Sequence, residues 1–149
     1  AVGQAGGRMA ITPERVAINC DDFRIPDNKG NQPIDEMIVP DGPAAYFSTL
    51  PIKRIVMRLM AGGIPAQVSN SAGTFVCNHV FYGLMDFMKK EGKGRRGGFI
   101  HVPYLPKQAA RLKNEPSMSL EMIVEGLTLA IKASVEIGVD ERMTDGVEC

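Results

Sequence analysis

The chain has 149 residues, enough for one domain with a sizeable core; 44% are apolar and 23% charged, as in ordinary globular proteins. Seventeen basic and seventeen acidic side chains cancel, which argues against a dedicated binder of nucleic acid or anionic membrane. Apolar runs fall short of a membrane span, and the N-terminus does not read as a signal peptide.

Residues 1–10 read as a strand end running into a Gly-rich turn, Gly6-Gly7. Thr12-Pro13-Glu14 reads as a turn and residues 15–19 as a short strand. The proline-rich stretch from Asp21 to Pro51 reads as a long loop able to hide short elements. Ile52, Ile55, Val56, Leu59 and Met60 share one face of a helix, with Pro51 in its first turn and Gly62-Gly63 as its stop. Residues 65–69 read as a strand and residues 70–74 as a polar turn. A second helix follows with Val76, Val80, Gly83, Leu84 and Phe87 on one face, ending at Gly92. Residues 97–102 form the next strand, and the loop to Pro116 carries little pattern. Ser119 can cap a last helix with Leu120, Ile123, Val124, Leu127 and Ile131 inward, and the tail from Gly138 to Cys149 is expected to fray. This alternation predicts an α/β domain with helices on both sheet faces and no internal repeat.

Three widely spaced cysteines, Cys20, Cys77 and Cys149, suit neither a disulfide framework nor a zinc cluster; they fit a reducing, cytoplasmic setting. Cys77 falls near a helix N-terminus, where backbone N–H groups favour the thiolate that acts as nucleophile. An inert cysteine buried beside Phe75 and Val76 is the competing reading. A cysteine nucleophile needs a base. His79 lies about 200° round the helix from Cys77 and cannot face it, so it reads as packing or surface. His101 ends a strand, where α/β proteins build their sites, although a backbone-bonded strand histidine would look the same. Glu14, Asp21 and Asp22 are candidates for orienting the imidazole. The segment GQAGGR matches neither phosphate-loop pattern and makes nucleotide or phosphate binding a weak reading. Lys89, Lys90, Lys93, Arg95 and Arg96, without interleaved aromatics, read as a solvated loop.

Three blocks together, GQAGGRMAITPERVAINCDD (from Gly3), SAGTFVCNHVFYG (Ser71–Gly83) and GGFIHVPYLP (Gly97–Pro106), with the linking RIPDNKGNQPID, resemble the pyroglutamyl peptidase I (pyrrolidone-carboxylate peptidase) family. The resemblance covers nearly the whole chain and weakens after about Gly138. It implies a three-layer α/β/α sandwich with a largely parallel twisted sheet, of which this chain would be the C-terminal portion without the N-terminal strand-loop-helix segment. It implies a cysteine peptidase that removes N-terminal pyroglutamate from peptides, with no cofactor or metal and no nucleic-acid or membrane partner. Cys77 would be the nucleophile, His101 the general base and then acid, and Glu14 the orienting group. Gln4, Ile25, Phe75 and Val76 would shape the lactam pocket. Arg24, or the backbone N–H groups of the Cys77 helix, would stabilise the oxyanion. Cys20 would be a core substitution. The family commonly forms dimers or tetramers, which implies a homodimer or homotetramer at full length. A non-enzymatic reading is a fragment that joins a partner or itself through an exposed sheet edge.

Overall fold

The computed structural model describes residues 1–136 and 139–146. In chain order its elements are β1 (Val2–Gln4), β2 (Thr12–Pro13), β3 (Val16–Ile18), β4 (Ala45–Phe47), α1 (Ile52–Ala61), α2 (Val76–Glu91), β5 (Ile100–Val102), α3 (Pro106–Ala109) and α4 (Leu120–Val135). The central sheet has the order β1-β5-β2. Strand β1 runs parallel to β5, with Gly3 opposite His101, and β2 runs antiparallel to it, with Thr12 opposite His101. Residues 64–69 lie along β2 through two parallel bridges, Ile11 with Ala66 and Glu14 with Ser69. A separate antiparallel pair joins β3 to β4. No helix among the described residues is long and apolar enough to cross a membrane.

The period of two in β5 sorts its side chains to opposite faces. Ile100 and Val102 enter a core with Ile55 and Leu59 of α1 and Ile123, Ala130 and Ala133 of α4. Phe99 faces the other way, into a cluster with Phe81, Tyr82 and Met85 of α2. The sheet therefore lies between α1 and α4 on one side and α2 on the other. This is an α/β architecture with a mixed sheet.

Several expectations need correction. Thr12-Pro13 is a strand rather than a turn, because Thr12 and Pro13 pair with β5 while the Pro13 carbonyl accepts the Ser69 N–H. The loop before Pro116 contains α3, while the proline-rich stretch holds one short element, β4, as its length allowed. Helix α2 is rotated from the predicted face: it buries Asn78, Phe81, Tyr82 and Met85, while Val80 and Phe87 are exposed. The buried set has the same helical spacing, and the larger rings take the core. Helix α4 buries Ile123, Gly126, Ala130 and Ala133 and exposes Leu120, Val124 and Ile131. Small residues allow close packing there: a Cβ on Gly126 would come within 2.4 Å of the Ile11 side chain. Met60 is exposed on α1. Cys20 is half-buried outside the core clusters, beside Asp35.

The helix stops agree with the predicted ones. Gly63 takes a left-handed φ of 75° after α1, and Gly92 closes α2 with its N–H on the Met88 carbonyl. Ser119 caps α4, its hydroxyl accepting the Met122 N–H at 3.2 Å. Of the tail expected to fray, residues 137–138 and 147–149 lie outside the described residues. In the described stretch, Asp140 accepts the N–H groups of Lys53 and Arg54 at the start of α1, and Asp145 accepts the Val68 N–H.

Candidate active site

Glu14 immediately follows β2. Its backbone N–H donates to the Phe99 carbonyl, which fixes its side chain beneath the sheet, where Glu14 is completely buried. One carboxylate oxygen, Oε1, lies 2.6 Å from His101 Nδ1. His101 is itself 3% exposed. Nδ1–H therefore donates to Glu14, which leaves Nε2 for a second partner. The Cys77 thiol lies beside the ring and lines the same cleft as His101. Burial pushes the His101 pKa down, but the hydrogen bonds to Cys77 and Glu14 and the Glu14 charge outweigh it, so the imidazole holds its proton above its ordinary range.

Cys77 is the second residue of α2. Phe75 is the N-cap in an extended conformation and offers no side-chain cap, so the first-turn N–H groups lack that partner. The chemistry-bearing residues thus come from three places: the end of β2, the middle of β5 and the start of α2. Sheet pairing brings the first two together, and packing of α2 on that face of the sheet brings the third.

The two other carboxylates considered for orienting the imidazole lie elsewhere. Asp21 Oδ2 is 2.6 Å from His79 Nδ1, and Asp22 is exposed, its backbone N–H donating to the Thr74 carbonyl. His79 is half-exposed, in line with a surface reading, yet it has a buried partner. Gln4, Arg24, Phe75, Cys77 and His101 line one open cleft of about 890 Å³. Ile25 and Val76 line a neighbouring pocket of about 660 Å³, and Phe75 belongs to both. The expected lactam-pocket residues are therefore divided between two adjoining spaces.

Sequence reasoning missed three neighbours. Gly3 faces His101 across β1–β5; a Cβ there would come within 2.7 Å of the Phe99 ring and 3.3 Å of Cys77 Sγ. The Phe99 ring packs 4.9 Å from the imidazole. Arg8 places Nη1 3.3 Å from Glu14 Oε1 and donates to Thr12 Oγ1. Only pairing across the sheet reveals the first two. The Arg8–Glu14 spacing of six residues carries no periodic signal. In the Gly-rich turn, the Gly7 N–H already donates to the Glu115 carboxylate at 2.6 Å. Among the described residues, no three His, Cys, Asp or Glu side chains group to hold a metal ion.

The family model described as pyroglutamyl peptidase matches residues 1–137. This chain belongs to the pyroglutamyl peptidase family. Its relatives include the pyrrolidone-carboxylate peptidase of Vibrio parahaemolyticus, 60% identical over 99% of this chain and 68% of the relative. The pyrrolidone-carboxylate peptidase of Bacillus cereus strain Q1 is 58% identical over 93% of this chain and 65% of the relative. Among solved structures, pyroglutamyl peptidase I from Bacillus amyloliquefaciens superposes with a TM-score of 0.92 at 55% identity, over 96% of this chain and 68% of that one. Pyrrolidone carboxyl peptidase from Thermococcus litoralis gives a TM-score of 0.91 at 43% identity, over 96% of this chain and 69% of that one. The chain thus spans about two thirds of the length of these pyroglutamyl peptidase relatives. The matched region contains Glu14, Cys77 and His101.

Proposed function

We propose that this chain carries the catalytic centre of a cysteine peptidase that removes N-terminal pyroglutamate from peptides. The observation that carries the reading is the buried Glu14–His101 pair, with the Cys77 thiol beside it on the same cleft. Cys77 Sγ attacks the pyroglutamyl carbonyl carbon while His101 holds the thiol proton. His101 then passes a proton to the departing amine as the C–N bond breaks. Water, deprotonated by His101, attacks the thioester, releases pyroglutamate and returns the thiol. Glu14 keeps Nδ1–H pointed away from the thiol throughout.

The carbonyl oxygen gains charge in each addition step. The uncapped first turn of α2 directs N–H dipoles at this end of the cleft, and Arg24 lies on the same cleft. Gln4 and Phe75 are suited to a small neutral lactam, one as polar partner and one as apolar wall. Ile25 and Val76 extend that wall from the adjoining pocket. A cytoplasmic, reducing setting keeps Cys77 as a thiol. Hydrolysis of a fluorogenic pyroglutamyl amide, against a prolyl amide control, tests the reading. Turnover of the first alone, abolished in Cys77→Ser, is the expected result; turnover retained in Cys77→Ser overturns the assignment.

A second reading concerns assembly. Strand β1 is an edge of the described sheet, and Val2 is exposed on it. A shallow space beside it is lined by Leu84 and Met88 of α2 and Ile131 and Val135 of α4. Such an edge favours pairing with a second chain. Light scattering tests it: a folded monomer with full activity excludes self-association as a requirement.

A further inference from the structure

The turn that carries the nucleophile lacks a cap of its own, and a helix start of that kind frays unless something else holds it. Here it is tied to residues 18–23, almost residue by residue. The Asn78 side chain, 1% exposed, accepts the Ile18 N–H at 3.0 Å and donates to the Ile18 and Cys20 carbonyls at 2.9 and 3.0 Å. His79 Nδ1 meets Asp21 Oδ2, and Asp21 is itself locked by two backbone hydrogen bonds to Glu36. Asp22 exchanges hydrogen bonds with Thr74, its N–H to the Thr74 carbonyl and its carbonyl from the Thr74 hydroxyl. The Phe23 and Phe75 rings meet edge to face at 4.6 Å. Cys77 sits in the middle of the clamped stretch, and Arg24 comes directly after Phe23.

We infer that Asn78 and the Asp21–His79 pair are positioning residues that hold Cys77 against His101. The inference rests on the peptidase reading for what the thiol does, and on geometry for what holds it. Asn78 acts as a strand partner, satisfying both backbone groups of Ile18 and so fixing the height of the first turn over the sheet. His79 fixes its rotation from the following position, on the opposite side of the helix from the thiol. A sulfur displaced by about 1 Å from its base loses on the order of 100-fold in rate.

The test follows iodoacetamide alkylation of Cys77 at pH 7 in the 149-residue chain by peptide-resolved mass spectrometry, with added glutathione as the reference thiol and the parent's Cys20 for comparison. This readout needs no substrate. Asn78→Asp keeps the shape of the side chain but removes its donors, and His79→Leu removes the bond to Asp21. Both are expected to slow alkylation of Cys77 by about tenfold or more relative to added glutathione. His79→Asn, which keeps an N–H donor near the position of Nδ1, is expected to restore the rate to within about threefold. Circular dichroism confirms folding, and the half-exposed His79 variants carry the test if Asn78→Asp fails to fold. Parent-like alkylation in folded variants overturns the positioning role alone, as does a loss in His79→Asn as large as in His79→Leu. A parent chain whose Cys77 alkylates no faster than Cys20 overturns both this role and the nucleophile reading.

Discussion

Glu14 is a fully buried carboxylate whose Oε1 faces an imidazole on one side and the Arg8 guanidinium on the other. Burying that charge is costly, and the pairing offsets the cost only while both partners are in place. Glu14→Gln keeps the shape and removes the charge. Where pyroglutamyl amides are turned over, it is expected to lower kcat/KM by roughly 10²–10⁴-fold. The pH profile gives an independent check. Because Glu14 helps hold the His101 proton, its loss lowers the pKa of His101, and the alkaline limb of kcat/KM moves to lower pH. An alkaline limb that stays in place would show that Glu14 acts only through packing. At Gly3 the constraint is steric. Gly3→Ala drives a methyl group toward the Phe99 ring and Cys77, and is expected to cost about 1–3 kcal/mol in denaturant unfolding and to slow alkylation of Cys77. Neither effect belongs to glycine as a turn former. Both come from the strand register that sets Gly3 opposite His101.

At the scale of elements, caps separate what is local from what is not. Ser119 precedes an apolar-periodic run and caps α4 as the sequence predicts; Ser119→Ala is expected to cost about 1 kcal/mol by thermal or denaturant unfolding. Helix α1 begins at Pro51, which cannot cap it, and its first N–H groups find Asp140, more than 80 residues away. Asp140→Ala should therefore cost about as much as the loss of a local cap, although no motif near Pro51 announces it. The same stretch supplies the Asp145 carbonyl to Lys53 Nζ at 2.5 Å and the Val139 carbonyl to the Arg54 guanidinium. Those contacts explain two largely buried cations on a helix whose polar side would otherwise face water.

At the scale of the molecule, the two outer helices present apolar side chains that periodicity assigned to the interior. Val80 and Phe87 of α2, and Val124 and Ile131 of α4, are exposed, and Leu84 lines the space beside the β1 edge. Exposed apolar area of this kind drives association. The chain is expected to self-associate at tens of micromolar in light scattering. Leu84→Glu with Ile131→Glu, which places charge beside that edge, should shift it toward monomer without unfolding it. A parent chain that stays monomeric across that range would count against the assembly reading.

The amino-acid sequence alone determined α1, with its Gly62-Gly63 stop, the Ser119 cap and the start and stop of α2, because helix periodicity and capping act over a few residues. It also singled out Cys77, His101 and Glu14, through motif blocks whose combined pattern is specific to one family. It did not determine which helix faces are buried. An apolar stripe records only that a residue can be buried, whereas Phe81, Tyr82 and the small residues of α4 win the interior through shape against particular neighbours. Tertiary structure alone decided that Asp21 pairs with His79 rather than His101, and that Gly3 makes room for Phe99 and Cys77. It also decided that residues 18–23 bind the first turn of α2, around Cys77. The physical reason is shared by all three. Each depends on the register of strands and on hydrogen bonds between residues far apart in the chain, and local sequence carries no record of which distant partner will arrive.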